Sequence, residues 1–119
     1  MVGEESSLVI EFSRCIAAAR TLLEEGRLEE AFPVIQKAIQ LGTACPEGFN
    51  LLGILNELRG DQEAARRMYR VALAIDATYS PASYNLDRLC QWKSVGRTSP
   101  INFGDRLKKE LSLRDLIVK

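Results

Sequence analysis

A fixed offset of 34 residues relates two stretches of this chain. The offset superposes three pairs of small residues: Gly26 and Gly60, Ala31 and Ala65, and Ala38 and Ala72. A period of this length is typical of stacked helical repeats, in which each unit buries one face against its neighbour. Such stacks leave an extended concave surface exposed, so the period predicts a binding protein rather than an enzyme.

The second stretch carries a specific residue pattern at fixed spacing: Phe49, Leu52, Gly53, Asn56, Gly60, Ala65, Tyr69 and Ala72. The pattern resembles the tetratricopeptide repeat, with Phe49 in place of the usual tryptophan and Asn56 where an aromatic residue is common. Gly53 and Ala65 are predicted to lie where the two helices of a hairpin cross, and Ala72 where the next helix approaches, because larger side chains would separate the helices. The resemblance covers residues 12–92 and implies an all-α fold, an α-α superhelix of antiparallel helical hairpins.

The first stretch, residues 12–45, is more divergent. Cys15 stands in place of the large aromatic residue, and Ala18 and Ala19 replace the Leu-Gly pair. Pro33 follows a little way after the turn at Gly26, and proline removes one intrahelical hydrogen bond. We therefore expect the second helix of this unit to be bent or to start late.

The period and its turn residues predict about two and a half repeats. Five helices are expected, at about 7–25, 28–41, 46–59, 62–75 and 80–93. They form one repeat domain over residues 1–93, with units at 12–45 and 46–79 and a single capping helix at 80–93. Short connections between the helices indicate antiparallel hairpins.

The remainder of the chain lies outside the resemblance. Residues 94–104 are rich in turn-forming residues and have no helical period, so they are predicted to be a linker. Residues 105–119 predict a short tail helix, with Asp105 as its N-cap and Leu107 and Leu111 on one side. Three alternatives stay open for this tail: folded back on the repeats, mobile in the isolated protein, or a motif that reaches a partner or an acidic membrane surface.

Formal charge is zero overall but uneven along the chain. Residues 1–92 carry nine basic and thirteen acidic side chains, whereas residues 93–119 carry seven and three. A cluster of arginines around the second hairpin (Arg59, Arg66, Arg67 and Arg70) therefore sits in an acidic body, where nucleic acid is not expected to bind. Gln62 and Glu63 lie nearby in the sequence, which favours a solvated, ion-paired helix face.

The residues needed for catalysis are scarce. The chain has no histidine, and adjacent acidic pairs such as Glu24-Glu25 diverge on a helix instead of converging. It also lacks the glycine-rich loops that cradle nucleotide phosphates, so we expect no enzyme activity and no cofactor.

Location is predicted from the apolar stretches, the first residues and the cysteines. No apolar stretch approaches the roughly 20 residues that span a bilayer, and the N-terminus carries acids where a secretory signal needs bases. Three scattered cysteines without a CxxC pair indicate reduced thiols, not zinc ligands or disulfides. We therefore expect no membrane span and a cytoplasmic protein.

The resemblance also implies a site, since the first helices of successive tetratricopeptide hairpins line a groove for peptides or short helices. Carried over by position, its candidate residues are Ile16, Arg20, Leu23, Asn50, Ile54, Glu57, Tyr84, Arg88 and Gln91. Leu58 and Trp92 also fall at groove positions, but large apolar side chains there are more often core residues.

The groove does not match the family members that clamp the C-terminal carboxylate of chaperones. Ile16 and Arg20 replace the first lysine and asparagine of that clamp, Leu51 the second asparagine, and Pro81 and Asn85 the last lysine and arginine. What remains is a groove suited to an amphipathic ligand that carries an acid. Its charged anchors would be Arg20 and Arg88, and its apolar contacts Ile16, Leu23, Ile54 and Tyr84. The leading hypothesis is an adaptor for a segment of another protein. The alternative is a structural unit that self-associates through the apolar ends of its short stack.

Overall fold

The fold is all-α, as expected. A computed structural model describes residues 2–90 and 100–104, with side chains from residue 7 onward, and within these residues there are five helices and no strand. The helices are α1 (Val2–Glu24), α2 (Leu28–Leu41), α3 (Pro46–Leu58), α4 (Gln62–Ile75) and α5 (Ser80–Cys90). The predicted end of the capping helix, and the tail helix at 105–119, lie outside the described residues.

The two glycines of the 34-residue period end equivalent helices in the same way. Gly26 follows α1 with φ +77° and Gly60 follows α3 with φ +92°, a left-handed conformation that glycine adopts without a steric penalty. The next amide donates back to a carbonyl five residues earlier: Arg27 to Leu22 at 2.9 Å, and Asp61 to Asn56 at 2.9 Å. These bonds form the Schellman arrangement that satisfies the last carbonyls of a helix.

One helix start differs from the predicted bounds, and one expectation about Pro33 is tested. α1 begins at Val2, five residues before the predicted start, because serine is only mildly unfavourable in a helix and Ser7 does not stop it. α2 begins at Leu28, as the predicted range of 28–41 has it, and contains Pro33. Of the two alternatives expected here, a bent helix or a late start, the late start is therefore wrong. Pro33 is exposed, and its ring meets solvent while the helix continues past it.

Small residues allow the helices to pack closely. The main packing partners are α1 with α2, α3 with α4, and each successive pair through α5, with a further contact between α1 and α3. Ala31, Ala38, Ala65 and Ala72 are fully buried, as the period predicts. A methyl group added at Gly53 would lie 2.5 Å from the Tyr69 ring, so only glycine fits between α3 and α4 at this point.

Residues 100–104 lie against the helices. They form no helix or strand, as expected of a linker, but Ile101 and Phe103 pack on the main apolar core and Gly104 is buried. We call these five residues the docked segment. Its place could not be read from the local pattern, because turn-forming residues indicate the absence of regular structure and carry no information about packing.

Candidate functional site

Two fully buried asparagines mark the place where the docked segment meets the helices. Asn50 lies on α3 and Asn85 on α5, and the Asn85 Nδ2 donates to the Asn50 Oδ1 at 3.1 Å. A buried amide that lacks hydrogen bonds is costly, so such a pair needs further partners. We call these residues the asparagine pair.

The main chain of Asn102 supplies those partners. The Asn85 Oδ1 accepts from the Asn102 N–H at 2.9 Å, and the Asn85 Nδ2 donates to the Asn102 carbonyl oxygen, also at 2.9 Å. The Asn50 Nδ2 donates to the same carbonyl oxygen at 3.3 Å. The asparagine pair therefore holds both polar groups of one residue's main chain, much as a neighbouring strand would in a sheet.

The side chain of Asn102 shapes the docked segment itself. Its Oδ1 accepts from the Gly104 N–H at 2.8 Å, an Asx turn that folds the segment back. Gly104 has φ +87°, and a methyl group there would lie 3.1 Å from the Tyr79 hydroxyl. Both the backbone conformation and the space therefore favour glycine at this position.

Several of the predicted groove residues are core residues. Ile16 and Leu23 on α1 and Ile54 on α3 are buried in the main apolar cluster, on which Ile101 and Phe103 also pack. Asn50 contacts the docked segment directly, whereas Tyr84 is exposed on α5. Thus, of the four predicted apolar contacts, only Tyr84 presents an open surface in this conformation.

Glu57 and Arg88 form a buried ion pair between α3 and α5. The Arg88 Nη2 lies 2.7 Å from the Glu57 Oε1, and the Tyr69 hydroxyl from α4 donates to the same oxygen at 2.7 Å. Burial disfavours the charged Arg88, but the hydrogen bond and charge of Glu57 outweigh it and raise its pKa. Arg88 is consequently committed to Glu57 and is not an exposed anchor for a ligand, contrary to its predicted role.

The other predicted groove residues are placed as follows. Arg20 is partly exposed on α1, and Gln91 and Trp92 lie outside the described residues. Leu58, expected to be a core residue, is instead exposed at the end of α3. Position in the repeat thus did not separate exposed residues from core residues.

The sequence interpretation missed Asn85 and the docked segment as parts of one site. The sequence indicated Asn85 only as a position where this chain departs from the chaperone clamp. The available signal was the presence of two asparagines, Asn50 and Asn85, 35 residues apart on equivalent helices and almost in register with the repeat. Polar residues on buried helix faces require partners, and the Asn-Phe-Gly sequence at 102–104 is a turn signal that could provide them.

Two of the four arginines around the second hairpin, Arg59 and Arg66, make local contacts. Arg66 pairs with Glu63 at 2.9 Å, as the sequence predicts, and the Arg59 guanidinium lies 5.4 Å from the centre of the Phe32 ring. That distance suits a cation-π contact.

The described residues offer few groups suited to chemistry. They contain no cluster of three metal-ligating side chains, and no helix among them is both long and apolar enough to cross a membrane. Cys15, Cys45 and Cys90 are free thiols. Burial, with a smaller effect of the Glu47 charge, raises the pKa of Cys45 and disfavours its reactive thiolate.

A concave region lies along the N-terminal part of α1. It is an open cavity of about 520 Å³ between α1 and α2, lined by Ser7, Ile10, Glu11, Arg14, Cys15, Ala18 and Val34. Of these residues Ile10 is 50% exposed, and the two residues that precede it on α1, Leu8 and Val9, are exposed by 54% and 63%.

Comparison of the chain with protein-family models, with curated proteins and with solved structures found no match. The resemblance to tetratricopeptide repeats therefore stays a prediction drawn from the residues themselves.

Proposed function

We propose that this protein is a non-catalytic interaction module of the tetratricopeptide-repeat type, which binds an extended segment of another protein beside α3 and α5. One observation carries the proposal: the asparagine pair holds the N–H and the carbonyl of a single residue, Asn102, at 2.9–3.3 Å. Groups that hold the main chain suit any extended peptide that brings an N–H and a carbonyl to the same place.

Apolar packing would add selectivity to this main-chain contact. Ile101 and Phe103, on either side of the held residue, pack on the core cluster formed by the helices. Side-chain pockets beside a main-chain contact are the usual way in which peptide-binding proteins distinguish one extended ligand from another. The site is therefore suited to binding and needs no reacting group.

The test is selection from a library of random short peptides displayed against the full-length protein, followed by NMR mapping of an enriched peptide. We expect chemical-shift changes around Asn50 and Asn85, and loss of binding in the Asn50→Leu/Asn85→Leu variant. Asn56→Ala is the matched control, because Asn56 is a partly exposed asparagine on the same helix as Asn50 and makes no part of the contact. Enrichment of peptides that map to another surface would contradict the proposal.

Self-association is the second candidate function. It is favoured by the exposed apolar side chains Leu8, Val9 and Ile10 of α1, because a second copy could cover them. Ile10 also lines the cavity between α1 and α2. Sedimentation should then show a dimer that dissociates in the Leu8→Glu/Val9→Glu variant. A monomer at high protein concentration would contradict it.

We place this activity in the cytoplasm. All three cysteines are free, and free thiols are typical of proteins kept in a reducing compartment.

A further inference from the structure

The docked segment also indicates which peptides the site selects. We propose that the site prefers ligands of the form apolar–Asn–apolar–Gly, and that residues 101–104 (Ile-Asn-Phe-Gly) occupy it as a resident ligand which an external peptide of this type must displace. This inference rests on the proposed function and adds to it the ligand's chemistry and a built-in competitor.

The glycine requirement comes from shape. Gly104 has φ +87°, which side-chain-bearing residues rarely adopt. A methyl group there would also lie 3.1 Å from the Tyr79 hydroxyl and 3.8 Å from the Pro81 ring. Tyr79 and Pro81 are both buried, so a side chain at this position of a ligand is disfavoured by its neighbours as well as by the backbone conformation.

The asparagine requirement comes from the turn. The Asn102 side chain accepts from the Gly104 N–H at 2.8 Å, while the main chain of Asn102 bonds to the asparagine pair. A short side chain with an oxygen acceptor is needed to close this Asx turn, so aspartate would substitute and leucine would not. The asparagine of the ligand thus has two roles. Its main chain binds the asparagine pair, and its side chain closes the turn by accepting from the glycine N–H.

The apolar positions come from packing. Ile101 and Phe103 are each partly buried against the main core cluster, which includes Ile54 and Leu89. A free peptide that places two apolar side chains here removes them from water, the main favourable contribution to its affinity.

The resident segment competes because it belongs to the same chain. Nine residues, 91–99, separate the end of α5 at Cys90 from Pro100. A tether of this length gives an effective concentration in the order of millimolar, so an external peptide of micromolar intrinsic affinity is weakened by at least about tenfold. Displacing residues 101–104 would restore that affinity.

The experiment uses full-length protein and a fluorescent peptide that repeats residues 99–105, measured by anisotropy. In the Ile101→Asp/Phe103→Asp variant, which leaves the asparagine pair intact, the peptide should bind at least about tenfold more tightly than to the unaltered protein. Peptides with valine in place of the glycine, or leucine in place of the asparagine, should lose at least about tenfold in affinity. Adding Asn85→Leu to the variant should abolish binding, and adding Asn56→Ala should not.

Equal affinity for the unaltered and the released protein would overturn the competitor role, and equal affinity for the three peptides would overturn the motif. Circular dichroism checks that the released variant folds, and Gly104→Val provides a second released protein with a single change. A dimer that becomes monomeric in the released variant would show that the segment comes from a second copy, which also overturns the intramolecular claim. If library peptides map to α3 and α5 without the motif, this inference fails and the proposed function stands. If no peptide maps there, the proposed function itself fails.

Discussion

The Arg88 guanidinium lies 2.7 Å from the Glu57 carboxylate, and this pair joins α5 to α3 with side-chain exposures of only 7% and 12%. Its burial predicts a large asymmetry between breaking the pair and removing both charges. Arg88→Met should lower the free energy of unfolding by about 3–4 kcal/mol, because Glu57 keeps a buried charge without its cation. The Glu57→Gln/Arg88→Met double variant should lose clearly less than the sum of the two single changes.

Urea denaturation of the four proteins measures this cycle. Lys37→Met is the control, since Lys37 pairs with Glu11 at 2.8 Å but both side chains are about half exposed. Its effect should be much smaller than that of Arg88→Met. If Lys37→Met and Arg88→Met lower the free energy of unfolding equally, burial of the Glu57–Arg88 pair does not affect stability.

Gly53 is predicted to be intolerant of any side chain. Gly53→Ala would put a methyl group 2.5 Å from the Tyr69 ring between α3 and α4, and should cost about 1–3 kcal/mol through overpacking. Thermal denaturation measures the loss. Gly26→Ala is a useful comparison because its methyl group would meet no atom within 4 Å, so its cost comes only from the φ of +77°. Relief of the Gly53→Ala defect by Tyr69→Leu would be expected, and strict additivity of the two changes would argue against a clash.

Two buried tyrosines predict a loss of stability in alkali. Burial raises the pKa of Tyr69, with a further contribution from Glu57, and burial also raises the pKa of Tyr79, with a further contribution from Glu47. Unfolding returns both groups to their ordinary value of 10.0, so above that pH the unfolded chain binds fewer protons than the folded one. Their contribution is therefore complete below pH 10 and declines at higher pH by about 1.4 kcal/mol per pH unit for each tyrosine.

Urea unfolding at a series of alkaline pH values tests the slope. Tyr69→Phe and Tyr79→Phe should each make the decline less steep, and the double change should have the larger effect. A slope that is the same in all four proteins would rule out these tyrosines as its source.

Asn85 should matter more than Asn50 for holding the docked segment. Asn85 makes two hydrogen bonds to the main chain of Asn102, whereas Asn50 makes one, which is longer at 3.3 Å. Asn85→Ala should weaken docking by about 1–3 kcal/mol, and Asn50→Ala by less. Hydrogen exchange at the amides of Asn102 and Gly104 should report this order, with Asn56→Ala unchanged. Faster exchange in Asn50→Ala than in Asn85→Ala would contradict the assignment of roles.

The parts of the fold that were predictable are those fixed by local spacing. Gly26, Gly60 and the buried alanines recur every 34 residues because each helical hairpin poses the same packing problem. The docking of residues 100–104 was not predictable in this way. It depends on contacts between Asn102 and residues 17 and 52 positions away, which no local pattern records.

The candidate site was predictable only in part for a similar reason. Asn50, Ile16, Ile54 and Arg88 all occupy predicted groove positions and all are buried, but only Asn50 donates a hydrogen bond to the docked segment. The helices to which the resemblance assigns a groove, α1, α3 and α5, also supply much of the core. A residue at a groove position is therefore often needed for packing.

The asparagine pair has a consequence for the rate at which a partner can bind. While the docked segment is in place, the buried amides of Asn50 and Asn85 are bonded to the main chain of Asn102. A partner that binds here must therefore replace these hydrogen bonds. If the resident segment must leave first, the observed association rate will stop rising at high partner concentration and level off at the rate of segment release. The dissociation rate of residues 101–104, a property of this chain, would then limit how fast any partner binds.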